Sequence, residues 1–199
     1  HPPPGSQAEA AVHQQLATGK LHSRQPSELF DVTIDTVPSE WPRYARKLRL
    51  ASGEGGKVDV AARFEKRRNR SFVYIQSPNS GLIELDESPP LSHDSDALDV
   101  ALTVSAMLGA KPVGAVQTMR KTVVDGSNTS GFQRTSLIST DGTLKTDTGD
   151  VGIDVLCLEE DSARKLDTIP TDRGEQVIYN LDRLGVPLIE IATSPDIQS

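Results

Sequence analysis

Cysteine is nearly missing. Cys157 is the one thiol in 199 residues, so no internal disulfide can form. It lies inside the apolar run Val155-Leu156-Cys157-Leu158, and a reducing, cytoplasmic setting fits best. Long apolar runs are missing too. None approaches the roughly 18 residues that a membrane span needs, which points to no membrane. The polar, Pro-rich opening "HPPPGSQ" has no signal-peptide character. There is no G-x-S-x-G elbow, no H-E-x-x-H, no Cys cluster, no P-loop and no G-x-G-x-x-G. Four histidines, at 1, 13, 22 and 93, offer no obvious triad. No internal repeat is visible.

What is present reads as globular. Hydrophobic residues make up 36% and charged residues 25% of the chain, which excludes a wholly disordered protein. The length suffices to bury a core without staples. The net charge of −7 is uneven: 12 Lys/Arg face 8 Asp/Glu before residue 76, and 9 face 20 after it. The basic part concentrates in 43–50 ("RYARKLRL") and 65–70 ("EKRRNR"). Such asymmetry marks either a nucleic-acid-facing edge or an ordinary solvated face.

Residues 1–8 read as a disordered lead and 9–199 as the folded part. "AVHQQLATGK" (11–20) reads as a short strand or strand end followed by a Thr-Gly turn. "KVDVAARFEKRR" (57–68) fits strand or helix equally. "RSFVYIQS" (70–77) and "GLIELDE" (81–87) are expected to form a hairpin. One helix stands out over 95–110, capped by Asp94 or Ser95, with Leu98, Ala101, Leu102, Ser105 and Leu108 at helical spacing. Further strands are expected at 115–124, 151–160, 177–182 and 187–193. Residues 134–149 read as a hairpin turning at Asp141-Gly142, and 161–167 as a short helix. Many strands with few helices, and no regular βα alternation, give an α+β class with a mainly antiparallel sheet.

The acids carry the chemistry. Glu159, Glu160 and Asp161 follow an apolar run directly. Two carboxylates ~6 Å apart at an effective dielectric of ~20 repel by roughly 2–3 kcal/mol, so at the end of a buried strand a cation is expected nearby. Strand alternation puts Cys157 and Glu159 on one face and Leu156, Leu158 and Glu160 on the other. Glu190 sits between Ile189 and Ile191, an unusual frame for a carboxylate. His13 follows Ala11-Val12 in a similar frame. Two carboxylates, Glu160 and Glu190, with the His13 imidazole can form a Mg²⁺-type site. The plainer alternatives are a Glu160–Arg164 pair one helical turn apart, Glu190 on a solvated edge, and His13 as a hydrogen-bonded core residue.

The loop "MRKTVVDGSNTSGFQRT" (119–135) gathers polar groups around Gly126 and Gly131, with Arg120, Lys121 and Arg134 flanking. Such a loop can cradle an anion or be a plain β-turn. Its Asn128-Thr129-Ser130 matches a glycosylation sequon, which a reducing compartment makes irrelevant.

Five segments in order, "HQQLATGKL", "ELDESPP", "MRKTVVDGSNTSGFQRT", "VGIDVLCLEEDSARK" and "LDRLGVPLIEIATSPDI", resemble the GatB/GatE family. This family comprises the archaeal E subunit of glutamyl-tRNA(Gln) amidotransferase and the related bacterial B subunit. "DGSNTSGFQRT" is similar to the E form. The resemblance runs from about residue 12 to 199. It implies the N-terminal part of the catalytic (cradle) domain, with the tRNA-binding tail absent. It also implies a glutamine synthetase-like fold, an antiparallel sheet with helices on one side. The implied chemistry is ATP- and Mg²⁺-dependent phosphorylation of the γ-carboxylate on glutamyl-tRNA(Gln), followed by amidation with ammonia. The ammonia would come from a partner amidohydrolase, the asparaginase-like D subunit. On the family's pattern, His13, Glu160 and Glu190 fall at metal positions, with Glu160 and Glu190 also catalytic. Arg120, Lys121, Ser127, Asn128 and Arg134 are the implied candidates for phosphate or the tRNA acceptor end.

Two departures stand out. The family reads G-L-E-[IV]-H-x-Q-L where this chain has Glu9-Ala10-Ala11-Val12-His13-Gln14-Gln15-Leu16, so the acid two residues before the histidine is Ala11. The F-C-x-C-P that commonly follows is His22-Ser23-Arg24-Gln25-Pro26, without thiols. A degenerate, inactive RNA-binding or scaffold protein is therefore the alternative to an active ligase.

Overall fold

The computed structural model describes residues 10–47, 70–172 and 174–195. The expected lead 1–8, the ambiguous stretch 57–68 and most of the basic run 65–70 lie outside them, as do residues 48–50.

Two sheets and one helix organise the described residues. The larger sheet has the order β1 (Ala11–Gln15), β10 (Pro187–Thr193), β7 (Gly149–Glu160), β6 (Phe132–Thr146) and β4 (Lys111–Pro112), with β5 (Thr118–Thr122) also pairing β6. Each of these pairings is antiparallel. The smaller sheet runs β2 (Arg43–Arg46), β3 (Arg70–Ile75), β9 (Gly174–Asn180), β8 (Arg164–Thr171). Within it β3 and β9 pair in parallel. The expected α+β class with mainly antiparallel strands agrees with this layout.

Helix α1 (Ser95–Met107) starts where expected: the Asp94 carboxylate accepts from Ala97 N at 3.0 Å, filling one of the orphan donors of the first turn. Gly109, at φ +61°, follows its end. The buried stripe is Ala97, Ala101 and Ser105 rather than the larger leucines, and Leu102 is exposed. Small residues let the helix lie close to the sheet, where Ser105 Oγ meets Ser139 Oγ at 2.7 Å. Beneath it Leu21, Ile138, Leu156, Leu158 and Ile189 complete one core. Alternation along β7 thus gives Leu156 and Leu158 to the helix side and leaves Cys157 and Glu159 on the other.

A second core lies on the smaller sheet around Phe72, Tyr74, Val177, Tyr179 and Leu181. Tyr74 and Tyr179 stack at 6.0 Å, and their hydroxyls donate to Gly126 O and Asp125 O, each at 2.6 Å. These two bonds tie the glycine-rich loop to the sheet. Gly126, at φ +82°, lies so close to Phe72 that an added Cβ would be 2.4 Å from the ring.

Three expectations are corrected. Residues 81–87 do not form a strand paired with 70–77. They close into turns, with Glu84 Oε2 accepting from Gly81 N at 2.8 Å and Leu85 N donating to Gly81 O at 3.2 Å, while β3 pairs β2 and β9 instead. The Asp141-Gly142 hairpin turn is not a turn. β6 runs on to Thr146, Gly142 pairs with Ile153, and the chain reverses at Asp147-Thr148 before Gly149 at φ +128°. Asp141 does take a left-handed φ of 57°, so the local preference is present without the reversal. Finally, the expected helix at 161–167 gives way to β8 from Arg164, because pairing with β9 satisfies its backbone.

Candidate metal centre

His13 lies directly across from Glu190 in the β1–β10 ladder, and Glu190 across from Cys157 in the β10–β7 ladder. Residues opposite one another in an antiparallel pair share a face. Glu159, two residues along β7 from Cys157, therefore joins this face, the one away from α1. His13 Nε2 is 3.7 Å from Glu159 Oε1 and 3.7 Å from Glu190 Oε1. One ligand atom from each of the three lies within 4.8 Å of the others.

The three differ in exposure. The His13 side chain is 50% exposed, Glu190 21% and Glu159 1%. Burial, then proton sharing with Glu190 and the repulsion between the two carboxylates, pushes the Glu159 carboxyl up to about 8. Glu190 is held below its ordinary value, first by accepting from Glu159 and then, against partial burial, by the charge of His13 and Lys121. Burial, reinforced by these acids, pushes the Cys157 thiol up to about 11. Glu159 Oε1 has no hydrogen-bond partner. A buried, unpartnered carboxylate oxygen is costly, and a cation would remove that cost. One imidazole and two carboxylates fit a divalent ion that keeps its other positions for water or phosphate oxygens. The residues present therefore fit Mg²⁺ or Mn²⁺.

Glu160 does not belong to this group, which corrects the expected set of His13, Glu160 and Glu190. It points to the helix side, is 4% exposed, and pairs with Arg134 Nη1 at 3.1 and 3.3 Å. Burial pushes its pKa up, and Arg134 opposes that shift. The alternative pairing with Arg164 is not formed either; that guanidinium bonds Val32 O, Phe30 O and Asp182.

A family model described as the GatB/GatE catalytic domain matches residues 11–199. The chain belongs to the GatB/GatE catalytic domain family. The E subunit of glutamyl-tRNA(Gln) amidotransferase from Thermoplasma acidophilum is 46% identical over 186 residues, covering 94% of this chain and 29% of that protein. The Pyrococcus furiosus protein of the same name is 47% identical, covering 94% and 28%. That of Methanosarcina acetivorans is 44% identical, covering 98% and 30%. The chain spans less than a third of the length of these relatives.

The basic and polar candidates of this GatB/GatE domain separate. Arg120 and Lys121 are neighbours on β5, so they point to opposite faces. Lys121 faces the acids, where its charge opposes the rise at Glu159 and adds to the lowering at Glu190. Arg120 and Arg134 face each other across β5 and β6 on the helix side, with their guanidinium carbons 4.9 and 5.3 Å from the Phe132 ring centroid. Ser127 and Asn128 are buried. Ser127 donates through N and Oγ to Asp125 Oδ1 at 3.0 and 2.6 Å, and its carbonyl accepts from Ala163 N. That is a turn-stabilising arrangement, of the kind the plain β-turn alternative implies.

Sequence reading missed two things. Lys20 is fully buried, with Nζ 3.0 Å from Asn79 O and 3.5 Å from Glu84 Oε1. Burial lowers its pKa despite Glu84. Nothing in the local pattern "ATGKLHS" signals a buried lysine. The second is a small cavity of about 20 Å³ lined by His22, Glu84, Asn128, Arg134 and Glu160, among others. His22 Nε2, Glu84 Oε1 and Asn128 Nδ2 are buried without hydrogen-bond partners. Because His22 Nδ1 contacts a carbonyl, Leu91 O, at 2.9 Å, it is the donor and Nε2 the acceptor. Burial lowers the His22 pKa to about 4, so the ring is neutral. The size and the mixed donors and acceptors suit one water.

Proposed function

We propose that this chain contributes the phosphorylation site of a glutamyl-tRNA(Gln) amidotransferase, built on a glutamine synthetase-like sheet. The observation that carries the reading is the convergence of His13, Glu159 and Glu190 on the open face of the larger sheet, with a buried Glu159 oxygen that lacks a partner. These three would hold Mg²⁺. When bound, the ion would offset the negative charge of the nucleotide phosphates. In the reaction, a γ-carboxylate oxygen of the glutamyl group attacks the γ-phosphorus of ATP and ADP leaves. Ammonia then attacks the acyl carbon, phosphate leaves with the bonding pair, and the added nitrogen loses a proton. The ammonia is expected from an asparaginase-like amidohydrolase partner, the D subunit, in the cytoplasm.

The roles of this chain's residues follow from their placement. His13 offers an imidazole nitrogen at the solvent side. Glu159 must lose its proton when the ion is taken up, which ties affinity to pH. Lys121, on the same face, adds a cation near the acids and near any phosphate seated over them. Glu160, bound to Arg134, acts as a structural charge rather than a ligand in this reading.

A second reading has one observation in its favour. Ala11 lies on the face of His13, opposite Ala192, where the family carries an acid. An RNA-binding or scaffold protein without the kinase step would tolerate this loss. The test is ATP hydrolysis dependent on glutamyl-tRNA, measured on the intact protein with its partner. Activity lost in Glu190→Gln supports the first reading. No activity in the wild type, with activity appearing in Ala11→Glu, supports the second.

A further inference from the structure

Strand β6 carries a buried hydroxyl that the fold does not use. Thr135 is 8% exposed, and its Oγ1 has no hydrogen-bond partner. It lies directly across from Glu159 in the β6–β7 ladder, so it shares the face of His13 and Glu190, the one away from α1. Glu159 Oε1, on that same face, is likewise buried and unpartnered. A donor and an acceptor, each without a partner, thus sit opposite one another. We propose that Thr135 is a positioning residue of the metal centre, whose hydroxyl donates to the Glu159 carboxylate and fixes the orientation in which that carboxylate meets a divalent ion.

The reach is sufficient. Directly opposed residues of an antiparallel pair have Cβ atoms about 4.5–5.5 Å apart. A hydroxyl on one side and a carboxyl on its longer stem on the other can close that gap without moving either strand. Threonine is stiff at χ1, so its hydroxyl has few positions and loses little freedom on bonding. Burial raises the Glu159 pKa, and the Thr135 hydroxyl opposes this. It is therefore close enough to favour the carboxylate even without an aligned bond. A buried hydroxyl without a partner is costly, and valine would give the strand the same shape without that cost.

Other donors on this face are committed elsewhere or set no direction. Gln133, next along β6, donates from Nε2 to Glu160 O at 2.7 Å. Gln15 donates from Nε2 to Asp161 Oδ2 at 2.6 Å. Lys121 brings charge, but it is exposed, and its ammonium sits on a flexible stem. Glu159 lies between two groups: Glu190 and His13 on the β10 side, Thr135 on the β6 side. A ligating carboxylate needs its remaining acceptor sites satisfied in a fixed direction, and Thr135 supplies that direction from inside the sheet. The inference rests on the metal role proposed for His13, Glu159 and Glu190, and adds a residue that acts through one of them.

Mn²⁺ affinity, read by paramagnetic resonance on the intact protein at one fixed pH, tests it. Thr135→Val and Thr135→Ala remove the hydroxyl and should each weaken Mn²⁺ binding about 10- to 100-fold. Thr135→Ser keeps it and should stay within about threefold of the wild type. Urea unfolding with a chelator present separates positioning from a structural role. There Thr135→Val should keep or raise the midpoint, because it discards a buried hydroxyl that had no partner. Unchanged Mn²⁺ affinity in both Thr135→Val and Thr135→Ala overturns the proposal. So does a lowered Thr135→Val midpoint in chelator, since the hydroxyl would then hold the fold. An equal loss of affinity in Thr135→Ser overturns it as well, by assigning the effect to the methyl group. A wild type that binds no Mn²⁺ refutes the metal centre itself, an outcome distinct from a wild type that binds Mn²⁺ while all three variants match it.

Discussion

Glu159 is the residue on which the metal site can be tested without any enzyme assay. Its carboxyl is pushed from an ordinary 4.5 up to about 8, so the fold favours the protonated form. The penalty is absent below pH ~4.5, grows by about 1.4 kcal/mol for each pH unit above it, and levels off near 8. At pH 7 the gap of about 2.5 units corresponds to roughly 3 kcal/mol of lost stability in the metal-free chain. Glu159→Gln keeps the shape and removes the titration. In urea unfolding with a chelator present, the variant's advantage over wild type should widen by about 1.4 kcal/mol per unit from pH 6 to 8 and then stay constant. His22, whose pKa is lowered to about 4, titrates in both proteins and cancels in the difference. Glu190, held below its ordinary value, titrates below this window. Saturating Mn²⁺ should reverse the order, because only the wild type gains binding free energy. Two stability profiles that run parallel from pH 6 to 9 would refute the argument, since they would mean that Glu159 is ionised and compensated by the protein alone.

Four other outcomes follow from the same geometry. Glu160→Ala should destabilise the chain by about 3–5 kcal/mol, since Arg134 loses its buried partner, while Mn²⁺ affinity measured by paramagnetic resonance stays within about twofold; a loss of metal binding at preserved stability would return Glu160 to the ligand set. Gly126→Ala should lower the thermal midpoint, with a cost of at least about 2 kcal/mol from the Phe72 overlap and the left-handed φ. Lys20→Met should cost about 3–5 kcal/mol by stranding the Glu84 carboxylate, and adding Glu84→Gln should recover part of it in urea unfolding. A crystal structure should place one ordered water between His22 Nε2, Glu84 and Asn128; an empty cavity would contradict the donor and acceptor assignment given to His22.

How far the sequence could be read is clearest in "LCLEED". Strand alternation alone separates Cys157 and Glu159 from Leu156, Leu158 and Glu160. What single-strand reading lacks is which face is covered. The apolar identity of Leu156 and Leu158 already marks their side as the core, and that places Glu160 in the core and Glu159 on the open face with Cys157. The set His13, Glu160 and Glu190 conflicts with this parity, because Glu190 pairs across from Cys157. The β7, β10 and α1 spans were legible for a physical reason: each carries its own period and its own end signals. The β8 strand and the turn-rich 81–87 segment were not. β8 owes its form to pairing with β9, which is itself seated on β3, with Glu175 beside Arg70 far back in the chain. The 81–87 segment owes its form to a Gly81–Glu84 hydrogen bond. Sites follow the same rule. Three residues as far apart in the chain as His13 and Glu190 meet because ladder register brings them together. Register is a property of pairing, so a ligand set becomes legible in one sequence only when each strand's buried face is identified before its acids are assigned.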